Sequence, residues 1–208
     1  MAKITFQNVT KKYGSKTVLD QLTLKFPEQG FVCITGPSGV GKSTIFNLLL
    51  QLTDPDAGEI RITDARQDWL FSAVFQEDRL LSWETVLENV LLPFSSIKKI
   101  PDNVREKAIT ILTELGLGKE LNSYPEKLSG GMARRVSIAR ALIVDADIYI
   151  MDEPTKGLDD DNRQQVLQII HKYTDQSSSH SGSLLLMITH RPDETEGSVL
   201  LSIQSPFM

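Results

Sequence analysis

A second cysteine is missing. With Cys33 alone no internal disulfide can form, so nothing in the chain calls for an oxidising compartment. The N-terminal stretch MAKITFQNVTKKYG has no charged-then-apolar leader. Long apolar runs are also missing, since the longest, such as LLLMI at 184–188, are far too short to span a bilayer. Nor is there an excess of positive charge: the formal net charge of -5 argues against non-specific nucleic-acid binding. No internal repeat or long low-complexity tract occurs. These absences predict a cytoplasmic protein. What remains is globular, with 40% hydrophobic and 24% charged residues over 208 positions, enough for one domain or one domain with an inserted lobe.

Strand-like runs occur at KITFQNV, TLKF, GFVCITG, GEIRIT, SAVFQ, ADIYIMDE, SLLLMITH and SVLLSI. The early runs alternate and predict a small antiparallel layer. The later ones are continuously apolar, as strands covered on both faces are. Helical spacing recurs at Ile45, Leu48, Leu49 and Leu52; at Val104, Ala108, Ile111, Leu112 and Leu115, ended by Gly116; and at Val166, Ile169, Ile170 and Tyr173. Asp159, Asp160 and Asp161 stand where the dipole of that last helix favours negative charge. No strand pattern lies between Gln76 and Leu128. We therefore expect an α/β core from 1–75 and 135–208, with 76–134 as an inserted helical lobe. The polar stretch TDQSSSHSGS at 174–183 is expected to be a mobile loop.

Two stretches suit anions. In GPSGVGKST, Gly36, Gly39 and Gly41 let successive backbone N–H groups turn inward before Lys42 and Ser43 open a helix. That arrangement fits a triphosphate, with Lys42 reaching the β- and γ-phosphates and Ser43 on Mg²⁺. In DIYIMDEP, Asp152 is a second candidate Mg²⁺ partner. Glu153, facing the other side of the strand, can polarise a water beside the γ-phosphate. His190, at the end of LLLMITH, can reach the same water or phosphate. LSGGMARRVSIARALI at 128–143 then supplies a second helix N-terminus, with Ser129, Gly130 and Gly131 as donors. One triphosphate is already cradled by the first loop, so this second seat serves the nucleotide of another molecule.

Taken together, these motifs resemble those of the ATP-binding cassette (ABC) ATPases over nearly the whole chain. The resemblance implies an α/β P-loop NTPase core of ABC-ATPase type, with a small antiparallel β layer and an inserted α-helical lobe. It matches Gly36, Pro37, Ser38, Gly39, Val40, Gly41, Lys42, Ser43 and Thr44 to the Walker A loop, and Gln76 to the Q-loop glutamine, a metal-side and catalytic position. Asp152 matches the Walker B aspartate, Glu153 the catalytic carboxylate and His190 the switch histidine; Leu128–Met132 match the signature and GLDD at 157–160 the D-loop. Tyr13 matches the aromatic that stacks on adenine; a tyrosine packed at a sheet edge is the other reading. The implied cofactors are ATP and Mg²⁺. The implied partners are a second copy, placing each signature against the other's Walker A site, an integral membrane permease and a solute-binding protein, with no nucleic acid. The chain would then sit on the cytoplasmic face of the membrane.

Two departures stand out. Met132 occupies a position commonly glutamine in this family, and a thioether cannot replace the amide's hydrogen bonds. LSGGM together with FQEDRLLSWETVLENVLLP is similar to the ATPases of sulfonate, taurine and nitrate importers, in which the region after Gln76 meets the permease. That makes Leu80, Leu81 and Trp83 either permease contacts or core residues of the lobe. Only 18 residues follow His190, fewer than the resemblance to these importers implies, and no regulatory domain is expected. An ABC ATPase acting on DNA or ribosomes is the alternative, opposed by the acidic charge, the single cassette and the lack of a coiled-coil insertion. A purely regulatory nucleotide-binding module is a third, opposed by Glu153 and His190.

Overall fold

The computed structural model describes residues 3–63, 69–176 and 183–203. β1 (Lys3–Tyr13) and β2 (Lys16–Lys25) form a hairpin, followed by β3 (Gly30–Thr35), α1 (Lys42–Leu49), β4 (Ala57–Thr63) and β5 (Phe71–Val74). The middle of the chain is helical: α2 (Val86–Leu91), α3 (Asp102–Glu114) and α4 (Gly130–Leu142). β6 (Ile148–Asp152), α5 (Asp160–Gln176), β7 (Leu184–Ile188) and β8 (Val199–Ser202) complete it. The alternating early strands make an antiparallel sheet of order β2-β1-β4, and the others a parallel sheet of order β5-β6-β7-β3-β8.

The two-residue period of the buried strands divides the interior. Ile148 and Ile150 of β6, with Leu184, Leu186 and Ile188 of β7, pack with α1 and the antiparallel layer. Tyr149, Met151, Leu185 and Met187 face the other way, into a cluster shared with α2, α3, α4 and α5. Both strands are buried throughout, which is why they read as unbroken apolar runs. The lobe has no separate core: Val86, Val90, Ile111 and Leu112 join the sheet residues in one cluster. Helix α4 runs unbroken across position 134/135, so its first turn and its buried length form a single rod.

Helix α1 is shorter than its apolar spacing predicts. Leu52 lies past its end and is exposed. Gln51 takes a left-handed φ of 54°, its N–H donates to Leu48 O and that of Leu52 to Asn47 O, a Schellman stop that satisfies the last carbonyls. Helix α3 ends the same way at Gly116, φ 74°, with Leu117 N–H on Leu112 O, as its glycine predicts. Asp159 caps α5, its Oδ1 accepting from Asn162 N–H at 3.0 Å. Of the expected loop at 174–183, residues 174–176 belong to the last turn of α5 and 177–182 lie outside the described residues. β8 pairs in parallel with β3 from Val32↔Val199 to Thr35↔Ser202, so the last strand-like run completes the sheet. Among the described residues, no helix is long and apolar enough to cross a membrane.

Candidate functional site

Residues 36–41 connect β3 to α1 in a loop that only glycine permits at two points. Gly36 has φ 147°, and a Cβ there would lie 2.4 Å from Ile203 O; Gly41 has φ 108°, and a Cβ would lie 2.8 Å from Leu19 Cδ2. The loop is thus pressed between the chain after β8 and strand β2, with its backbone curled around the start of α1. Lys42 Nζ donates to Gly36 O at 2.9 Å and to Pro37 O at 2.8 Å. Burial pulls the Lys42 pKa below its ordinary value, against the pull of Glu153 and Asp152. The lysine is therefore folded over the loop, its charge aimed where phosphates would sit.

Parallel pairing aligns the C-terminal ends of β6 and β7, Asp152 opposite Ile188, where open α/β sheets bind ligands. Ser43 Oγ donates to Asp152 Oδ2 at 2.7 Å. Desolvation raises the Asp152 pKa, and that hydrogen bond opposes the rise. Glu153, the next residue, has φ 47°, a region that costs a non-glycine residue on the order of 1 kcal/mol or more. Its N–H donates to Ile188 O and its C=O accepts from Lys156 N–H. Its carboxylate lies 3.1 Å from His190 Nε2 and 2.9 Å from Lys156 Nζ.

These groups share one cavity of about 430 Å³. Tyr13, Ser38, Gly39, Gly41, Lys42, Ser43, Thr44, Gln76, Asp152, Glu153 and His190 all line it. Gly36, Pro37 and Val40 shape the loop behind it without lining it. Ser129, Gly130 and Gly131 do not reach it. Ser129 caps α4 instead, its Oγ accepting from Met132 N–H at 3.2 Å, and Ser129 and Gly130 face solvent. A larger hollow of about 800 Å³, beside Gln51, Ile60 and Trp69, brings none of the predicted groups together.

The cavity's oxygen ligands fit a hard cation. Ser43 and Asp152 present adjacent oxygens, and no cluster of three or more His, Cys, Asp or Glu suited to a metal occurs among the described residues. Two protein oxygens completed by phosphate and water match the habits of Mg²⁺.

Three features were not anticipated from the sequence. Lys156 flanks Glu153 and lines the cavity; a lysine in a loop carries no signal for this. Asn89, fully buried, exchanges hydrogen bonds with Leu81 and donates to Glu84 O and Thr85 O, fixing the turn that carries Trp83. Arg134 is 3% exposed, although an arginine on a helix reads as surface. Its guanidinium is spent on the backbone around Gln76 and Glu153.

The motifs that meet here agree with the comparisons. Residues 19–156 match the family model described as ABC transporter. An aliphatic sulfonates import ATP-binding protein from Pseudomonas savastanoi pv. phaseolicola is 38% identical over 92% of this chain and 66% of its own length. A macrolide export ATP-binding/permease protein from Marinobacter nauticus is also 38% identical, over 91% of this chain and 31% of its own. The chain thus spans less than two thirds of either relative. The dimeric structure of a bacterial ABC transporter cassette superposes with a TM-score of 0.83 at 31% identity, covering 97% of this chain and 94% of that one. The same cassette in a post-hydrolysis state, bound to ADP and phosphate, gives 0.82 at 30% identity, covering 98% and 96%. With a phosphate loop, a glycine-led helix and two strand-end carboxylates in this order along the chain and on this fold, the chain belongs to the ABC transporter family as one of its ATP-binding cassettes.

Proposed function

We propose that this chain hydrolyses ATP as a pair, each copy closing the other's site, and that the pair powers a membrane permease. ATP lies along residues 36–44, with the adenine on Tyr13 and the phosphates under Lys42. Ser43, Asp152 and Gln76 would hold Mg²⁺, which supplies charge neutralisation on the β- and γ-phosphates. Glu153 accepts the proton of the attacking water, and His190 orients that water or the γ-phosphate. The signature of a second copy completes the cage with Ser129, Gly130 and Gly131 at the N-terminus of its α4. Loss of the γ-phosphate removes what both copies grip, so hydrolysis opens the pair.

The observation that carries this reading is the separation of two anion seats on one chain: a complete P-loop cavity, and a capped, solvent-facing helix start that takes no part in it. The dimeric cassette among the structural neighbours supports the pairing. Trp83, 70% exposed on its Asn89-pinned turn, is the side chain best placed to meet a permease, while Leu80 packs against the cluster that the lobe shares with the sheet.

The sulfonate relative supports an importer role with a small organic anion as cargo; a solute-binding protein as further partner and a place on the cytoplasmic face of the membrane belong to the same proposal. Export is a second reading, favoured by equal identity to the macrolide protein. Glu153→Gln tests the chemistry: it should keep Mg-ATP affinity, lower turnover by roughly a hundredfold to ten-thousandfold and accumulate ATP-bound dimers on size exclusion. Steady-state turnover at the parent rate would remove Glu153 as the base.

A further inference from the structure

Helix α4 does more than offer its first turn to a partner. Along one face, Arg134, Ser137 and Arg140 stand at spacings of three, and all three reach the segment that follows β5. Arg134 Nη1 donates to Phe75 O at 2.5 Å and lies 3.1 Å from Asp78 Oδ1. Ser137 Oγ donates to Asp78 Oδ1 at 3.3 Å, and Arg140 donates to Asp78 O and Arg79 O at 2.7 and 2.9 Å. The other arms of Arg134 reach the end of β6: Nη2 donates to Asp152 O and Glu153 O, each at 2.6 Å, and Nε to Pro154 O at 3.0 Å. One buried guanidinium therefore joins the backbones that carry Gln76 and Glu153 to the helix that Ser129 caps.

The bonds fall where the backbone is strained. Glu153 and Arg79 both have positive φ, 47° and 46°, and such conformations persist only when their surroundings hold them. A planar fork with five donors can serve several divergent carbonyls at once, whereas an ammonium is a point charge.

From this geometry we infer that Arg134 is a positioning residue for hydrolysis: it sets the backbones of Gln76 and Glu153 in register with the signature helix of the same chain. Its side chain does not line the cavity. The inference rests on the reading of Glu153 as base and adds a residue to it.

Steady-state ATPase kinetics of the purified full chain, with Mg-ATP affinity and thermal melting measured in parallel, test it. Arg134→Gln should fold, bind Mg-ATP with unchanged affinity and lose about a hundredfold in kcat, the scale on which small misplacements of reacting groups act. Arg134→Lys should keep the charge yet fail to restore the rate. If the glutamine variant does not fold, the lysine variant carries the test, with a fall of tenfold or more expected. A parent-like kcat in folded Arg134→Gln or Arg134→Lys would overturn the inference. So would loss of fold in both variants, or losses of rate and affinity that run in parallel, because each assigns Arg134 to structure alone. Glu153→Gln in the parent background separates the two readings. Turnover surviving there sinks the hydrolytic centre, while turnover lost there but intact in Arg134→Gln sinks only this inference.

Discussion

His190 Nε2 stands 3.1 Å from Glu153 Oε1, at the aligned ends of two parallel strands. Lys156 Nζ holds the other oxygen at 2.9 Å. The carboxylate read as the base is thus gripped from both sides and aimed into the cavity that also holds Lys42 and Ser43. The pairing follows from topology. With Asp152 opposite Ile188, the residues just after each strand emerge together, and the chain needs no long loop to bring them into reach.

The exposed start of α4 predicts a variant that separates binding from turnover. Ser129→Arg puts bulk and positive charge where the partner's γ-phosphate would rest, and its own P-loop cavity is untouched. Equilibrium binding to the monomer should stay at the parent affinity, while ATPase activity falls by about a hundredfold, as when an anion-stabilising donor is lost. Unchanged turnover would show that the signature does not face a nucleotide.

Tyr13 lines the cavity yet is 49% exposed, with Lys11 Nζ 5.6 Å from its ring centroid. Tyr13→Ala should weaken ATP about tenfold, near the low end of the roughly 1–3 kcal/mol of base stacking, and leave the Mg²⁺ dependence unaltered. Fluorescence titration with ATP measures this, and identical affinity would return Tyr13 to a packing role.

Cys33 sits in β3 with no exposed surface, and burial pushes its thiol from 9.0 up to about 11. Because the folded pKa is raised, the protonated thiol contributes stability that is fully present below about pH 9 and is lost as pH rises through about 11. In urea melts between pH 8 and 11, the parent should therefore lose stability faster than Cys33→Ala. Ellman's reagent at pH 8 should label the native thiol only through opening, and at once in denaturant. Parallel melting curves, or fast native labelling, would contradict this.

Much of the fold and site was legible because local chemistry and global structure agree there. The glycines at 36 and 41 mark the phosphate loop because the close approaches of Ile203 and Leu19 leave no space for a side chain. The unbroken apolar runs of β6 and β7 mark strands covered on both faces. Leu52 misled, since apolar spacing continues past α1 while Gln51 turns left-handed and ends the helix. Arg134 was illegible for a different reason. Apart from Asp78, its partners are backbone carbonyls of segments more than fifty positions before it and about twenty after it, and a carbonyl leaves no mark in a sequence. Likewise, the ties of Thr155 and Thr189 to the buried Glu194 depend on packing beneath the site, which residue identities alone do not disclose.

If one copy cannot hydrolyse ATP alone, dilution must silence it. ATPase activity per chain should be measured across a wide concentration series at saturating Mg-ATP, with mass recorded under the same conditions. Activity per chain should fall as dimers dissociate, the total rate approaching the square of the chain concentration. A constant rate per chain, sustained by particles that remain monomeric throughout turnover, would contradict it.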